Sequence, residues 1–327
     1  ETVELEGLLP EGSRVLVAVS GGADSVCLLE FLRIIAPRRG LTLAGFHLNH
    51  RLRPAAHEDE RFVRTLFEQA RLPLKVVRSD VRGYARRHRL GIEGAGRELR
   101  YRHMGATARK LGCQRVALGH TADDSLETVL LNIIRGTGLT GFRGIPARRE
   151  YYVRPLIELT RVEIEAWLCA QGVAWREDES NRDERYARNL LRRRVIPVLR
   201  ELRPNAAVAA RRAARLIADE DDCLEEEARA ALSTVARRVR SGARIDLAAL
   251  LSYNICLKRR MVRRLIPGMD SSGVDRILLF LTAMQEQGPR HSAAKLVLPG
   301  GTRLTRLSTA AGGRTAILVT RKGGHGR

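Results

Sequence analysis

The segment VLVAVSGGADSVCLLEFL, residues 15–32, decides how this chain begins to fold. Residues 15–19 read as a buried strand and 25–32 as a helix, because one run is continuously apolar and the other repeats with helical spacing. Between them lies Ser20-Gly21-Gly22-Ala23-Asp24-Ser25. Two glycines let backbone approach an anion, and the helix N-terminus behind them favours negative charge by about 0.3–1 kcal/mol at an exposed site. A lysine-bearing phosphate loop needs Lys before its Ser or Thr, whereas position 24 holds Asp. Asp24 repels a bare phosphate, so its natural task is to hold Mg²⁺ that bridges to a polyphosphate. The competing reading is a tight strand–helix turn capped by Asp24 or Ser20.

Outward from this unit, strands are predicted at 14–19, 41–48, 74–78 and 115–119. Helices are predicted at 24–35, 55–71, 97–111 and 122–134. The alternation predicts an α/β fold: a parallel sheet of the five-stranded type with helices on both faces and right-handed crossovers. In such sheets the binding crevice lies at the carboxyl ends of the strands. The loops 20–25, 49–53 and 120–124 each follow a strand and should converge there.

Residues 151–200 change character, with an amphipathic helix at 161–171 and then the doubly charged stretch REDESNRDERYARNLLRRR, 176–194. Pro204 and Asn205 open a long polar helix whose end is acidic. We therefore expect a catalytic domain over 1–203, a linker helix over 204–223 and a smaller C-terminal α+β domain over 224–327. In that last domain, helices are predicted at 224–240, 253–265 and 275–287, and strands at 295–298, 303–308 and 316–320. Arg259, Arg260, Arg263 and Arg264 give the second of these helices a basic face.

Composition narrows the partners. The 327 residues are 44% apolar, enough for a sizeable core, and carry a net charge of +21. Only five residues are lysine, so arginine supplies nearly all the positive charge. Such a surplus is the footprint of a polyanion binder, with nucleic acid ahead of an anionic membrane. Five scattered cysteines have no metal-ligand spacing and read as small buried hydrophobes. The acidic start ETVELEGLLPEGS has no signal-peptide pattern and no apolar run approaches a membrane span, which predicts a cytoplasmic protein.

Several motifs resemble one family. The loop at 20–25 resembles the PP-loop of the ATP pyrophosphatase superfamily. HLNHRLR (47–53), RELRY (97–101), GHTADDSLET (119–128), RGTGL (135–139), RPL (154–156), EDESN (177–181) and Arg188-Asn189 fall in the order found in the lysidine synthetases. LPGG (298–301) resembles that family's accessory domain more loosely. Glu179 stands where proline is usual, and Leu190 where a basic residue is common. The resemblance implies a ligase that uses ATP and Mg²⁺. It would join free L-lysine to C2 of the cytidine at the first anticodon position of tRNA(Ile) with a CAU anticodon, through an adenylated base. It also implies a homodimer.

On the same resemblance, Ser20, Gly21, Gly22, Ala23, Asp24 and Ser25 bind ATP together with His50 and Arg51, and Asp24 holds Mg²⁺. Asp124 and Glu127, three apart at the start of a predicted helix, share one face. They would hold the lysine ε-amine, which arrives protonated with a pKa near 10.4. The rival for Asp124 is a capping box with Thr121, and Asp123 could instead face the cleft. Arg97 would neutralise the nucleotide or the lysine carboxylate. Arg188, Arg192, Arg193 and Arg194, with Arg259, Arg260, Arg263 and Arg264, are candidate tRNA contacts.

Three other readings share parts of this pattern. A tRNA thiolase needs a reactive cysteine near the cleft, where neither Cys27 nor Cys113 is placed. An amidating synthetase acting on a small molecule does not require so basic a chain. A binding protein with a lost site has no use for Asp24, Asp124 and Glu127 together.

Overall fold

The computed structural model describes residues 2–51, 56–177, 187–240, 242–286, 295–298, 301–307 and 316–320. Motif positions 52, 53 and 178–181 and the turn at 299–300 lie outside them. The chain divides into two compact units, Glu1–Ala218 and Asp219–Arg327.

In the first unit, β1 (Arg14–Ala18), β2 (Thr42–Asn49), β3 (Leu74–Arg78), β4 (Arg115–Ala117), β5 (Arg148–Arg149) and β6 (Tyr152–Val153) form one sheet. Their order is β3-β2-β1-β4-β6-β5, with five strands parallel and β5 antiparallel at the edge. β1 is central because Val15, Leu16 and Val17 are all fully buried. A strand covered on both faces reads as an unbroken apolar run, and this one does. The helix Ala23–Arg39 covers one face through Val26, Leu28, Leu29 and Leu32. On the other face, Leu16, Phe46 and Val116 pack with Met104 and Ala108 of the helix Ile92–Lys110.

Strand order sets the site. The chain runs outward from β1 through β2 to β3, then returns past β1 to β4. The loops after β1 and β4 therefore part at a topological switch point, where open α/β sheets bind ligands. Their approach is close: a Cβ on Gly119 would lie 2.9 Å from the Asp24 carbonyl oxygen. The helix Val81–His88 and the short β6 were not predicted, and the helix Ile92–Lys110 begins before 97.

The second unit contains the end of the helix Ala206–Val235, then β7 (Ala236–Val239), β8 (Gly242–Asp246), β9 (Lys295–Val297), β10 (Arg303–Leu307) and β11 (Ala316–Thr320). They form an antiparallel sheet of order β7-β8-β11-β10-β9. Helices Leu247–Leu251, Ile255–Leu265 and Ser271–Glu286 cover one face, with Ile245, Leu304, Ile317 and Val319 buried against Met261, Val262 and Ile277. Two sequence expectations change here. The helix from 206 is continuous to 235, so no linker helix closes at 223, and the units divide inside it, not near 203. Residues 236–239, read as the end of a helix, are strand β7. Their Ala and Arg composition favours helix locally, and pairing with β8 overrides that preference.

Candidate active site

The glycine turn is held from within. Ser25 Oγ accepts hydrogen bonds from the backbone N–H groups of Ser20 (3.1 Å) and Gly21 (3.2 Å), and donates to the Gly22 carbonyl at 2.9 Å. Gly21 has φ of +102°, a conformation that costs a side-chain-bearing residue dearly. Gly22 caps the helix Ala23–Arg39 without any side-chain acceptor, which leaves first-turn N–H groups to an anion. Arg176 lies across the loop. Its N–H donates to Gly21 O at 2.9 Å, and its guanidinium pairs with Asp59 and Glu58 of the helix Ala56–Gln69.

Three carboxylates converge beside the loop. Asp24 leaves the first turn of its helix with one oxygen, Oδ2, on Arg161 Nη1 at 2.7 Å. Its other oxygen, Oδ1, is buried without a partner among the described residues. Burial pushes the carboxyl up to about 6 against the pull of Arg161, and Asp124 pushes the same way. A desolvated carboxylate oxygen with no donor fits a cation, so Asp24 suits the Mg²⁺ predicted for it. Asp124 and Glu127 start the helix Ala122–Ile134. Glu127 is buried, with Oε1 on Arg192 Nε at 2.6 Å, and Arg192 Nη2 lies 3.4 Å from Asp124 Oδ1. Burial raises the Glu127 carboxyl despite Arg192.

Asp124 also makes the capping box. Its Oδ2 accepts from the Thr121 N–H at 2.9 Å while Thr121 Oγ1 accepts from the Asp124 N–H at 3.3 Å. One oxygen thus caps and the other faces Arg192. Asp123 turns away: it accepts from the Arg161 N–H (2.7 Å) and pairs with Arg200 (2.7 Å). It anchors the helix Arg161–Ala170 and is not the residue facing the cleft.

A positive cluster adjoins the acids. Burial, together with the charges of Arg154, Arg97 and Arg100, pushes His120 down to about 4, although Asp124 pulls it up. Its Nδ1 is buried without a partner among the described residues. Arg97 is exposed, with its guanidinium 5.0 Å from the centre of the Tyr101 ring. His50 Nε2 lies 3.2 Å from Arg100 Nη2. Arg51 adopts φ of +52°, and its N–H donates to Asn49 Oδ1. Buried Asn49 in turn donates to Glu60, which also binds Arg64 and Arg78.

The candidate RNA contacts divide differently than expected. Arg188 is half-buried, 3.8 Å from Glu93, and Arg193 and Arg194 are exposed on the segment Leu191–Val195. Arg192 points instead into the acidic site. In the second unit, Arg260 is buried on Asp221 (2.6 Å) and Glu225, Arg264 pairs with Glu225, and Arg259 pairs with Asp275 at 2.7 Å. Arg263 donates to Ser271 Oγ at 3.1 Å. The basic helix face is thus largely neutralised inside the protein, and Arg260 is no surface contact. Arg161, Arg176 and His120 were missed as site residues. The helical N-terminus at 161 and the histidine of GHTADD were the only signals for two of them.

Burial, with Asp24 and Glu30, pushes the Cys27 thiol up to about 11, so it supplies no thiolate near neutral pH. Among the described residues no helix is long and apolar enough to cross a membrane.

A PP-loop domain matches residues 3–199, and the chain belongs to that family. The curated proteins it resembles are named tRNA(Ile)-lysidine synthase. That of Geobacter sulfurreducens is 41% identical over 265 residues, covering 80% of this chain and 56% of the relative. That of Thermus thermophilus is 36% identical over 299 residues, covering 91% and 56%. The chain therefore spans little more than half the length of these relatives. Among solved structures, a U34-tRNA thiolase from Methanococcus maripaludis aligns with a TM-score of 0.55 at 16% identity. It covers 64% of this chain and 74% of that one, a likeness of fold alone.

Proposed function

We propose that this protein is a ligase that joins the ε-amine of free L-lysine to C2 of the cytidine at the first anticodon position of a CAU-bearing tRNA(Ile), at the expense of ATP. The observation that carries the reading is the buried Glu127 and the half-exposed Asp124 oxygen closed around a cation, the Arg192 guanidinium, beside Asp24 of the PP-loop. A pair of carboxylates that holds a guanidinium also suits an ammonium.

In the first step the C2 carbonyl oxygen of the base attacks the α-phosphorus of ATP and pyrophosphate leaves. The N–H groups of the glycine turn and the helix N-terminus receive the phosphates. Asp24 would hold Mg²⁺, which supplies charge neutralisation on the polyphosphate. Arg97, with Arg100 and Arg154 nearby, offers positive charge to the nucleotide or to the lysine carboxylate. In the second step the ε-amine attacks C2, the C2–O bond breaks, and the oxygen leaves as part of AMP. Asp124 and Glu127 orient the ammonium, and the raised Glu127 carboxyl is suited to take its proton before attack. His50 and Arg51 lie after β2 as part of the ATP-binding loops, and a homodimer in the cytoplasm completes the reading.

The test combines protein, ATP, Mg²⁺, labelled lysine and a CAU tRNA. Label in the tRNA with stoichiometric AMP and pyrophosphate is expected. Label in a tRNA lacking that cytosine, or modification without lysine, overturns the reading. Asp124→Ala should keep pyrophosphate release and lose lysine transfer.

A further inference from the structure

The helix Ile255–Leu265 was the basic face expected to meet RNA, yet most of its arginines are spent on Asp221, Glu225 and Asp275. The unspent charge of the second unit lies elsewhere. In the antiparallel sheet, paired residues project from the same face, and the register lines up Arg237 with Arg244, Arg244 with Leu318, Leu318 with Thr305 and Thr305 with Lys295. Arg303 lies two residues from Thr305 on the same face. The opposite face carries Ile245, Ile317, Val319 and Leu304 into the core. The row is therefore the open side of the sheet, and Arg237, Arg244, Lys295 and Arg303 are all exposed.

None of these four cations has an ion pair or side-chain hydrogen bond among the described residues. Arg237 and Arg244 stand directly opposite each other, an arrangement of like charges that destabilises a strand pair. The one carboxylate on this side of β8, Asp246, caps the helix Leu247–Leu251 through the Ala249 N–H. A polyanion laid across the row supplies the missing countercharge. Thr305 and Leu318, not aromatic rings, occupy its middle, which suits phosphates more than stacked bases. Five strands at the usual spacing make the row about 19 Å wide.

We infer that the open face of this sheet, from Arg237 on β7 to Lys295 on β9, is an RNA-backbone docking surface. The inference rests on the proposed tRNA substrate and names which surface of the second unit meets it. Contact here is electrostatic and independent of base sequence.

The experiment compares wild type with Arg237→Gln/Arg244→Gln and Arg237→Lys/Arg244→Lys, using the full chain and a CAU tRNA. The Gln pair should weaken tRNA binding by about tenfold at low salt and reduce the slope of log affinity against log salt by roughly 1.4–1.8. The Lys pair should retain most of both. Removing the facing charges should raise the Tm of the Gln pair when no RNA is present. An unchanged affinity and slope in the folded Gln pair overturns the surface while leaving the proposed function intact. A lower Tm with unchanged slope overturns it equally, since the arginines then serve the fold. Failure of wild type to bind any tRNA overturns the proposed function and this inference together.

Discussion

Burial holds the Asp24 carboxyl at about 6, against Arg161, and this gives the site a pH response that can be worked out by sign. Below about pH 6 Asp24 gains a proton and loses its charge, so Mg²⁺-dependent ATP binding should rise as pH increases through that value. Arg161 lowers the carboxyl, so Arg161→Ala should carry the midpoint toward neutral pH. Titrating ATP affinity by calorimetry between pH 5 and 8 checks both, and a midpoint that moves downward refutes the assignment. The stability sign is the reverse of an ordinary carboxylate. Between its usual 3.8 and about 6 the folded protein keeps a proton that the unfolded chain releases, so stability falls as pH rises through that window. Asp24→Asn should therefore abolish pyrophosphate release without lowering Tm at pH 7. The carboxylates themselves were legible, since helix spacing alone puts Asp124 and Glu127 on one face. Their arginine partners were not. Nothing local distinguishes Arg192 from Arg193 or Arg194, and only the tertiary fold turns one of the three inward.

At the scale of elements, the helix Ala122–Ile134 serves as both scaffold and site, because its capping box uses a carboxylate that also faces the cleft. Thr121 is buried, and its hydroxyl satisfies the Asp124 N–H. Thr121→Ala should cost about 1 kcal/mol of stability, read as a lower denaturant midpoint at unchanged slope, whereas Thr121→Ser should cost much less. An Ala variant as stable as wild type would mean that the Thr121 N–H to Asp124 contact carries the cap alone. The parallel strands were readable because central strands are apolar on both faces, as Val15 to Val17 show. β6 has two residues and β7 has only Ala236 partly turned to the core, so neither carries a pattern long enough to read. Glycine spacing announced the loop after β1. The closeness of Gly119 to Asp24 follows from strand order, which the sequence leaves open.

For the whole molecule, the count of 58 Lys and Arg overstates what reaches a partner, because 37 Asp and Glu compete for them. Arg78 and Arg64 serve Glu60, Arg200 serves Asp123, Arg211 serves Glu158 and Arg260 serves Asp221. These five arginines share four carboxylates within the fold, so most of their charge is already matched before RNA binds. The salt slope of tRNA binding counts phosphates engaged, at roughly 0.7–0.9 per contact, so it should be steep yet far below what the number of basic residues implies. Phosphate contacts carry no base information, so a CAU tRNA and a tRNA with another anticodon should share one slope. Discrimination between them should then appear in a salt-independent offset and in turnover. Anisotropy titrations from about 50 to 200 mM salt measure both terms. A steeper slope for the CAU tRNA would mean that anticodon recognition itself recruits further arginines, and that the basic surface is not one preformed field.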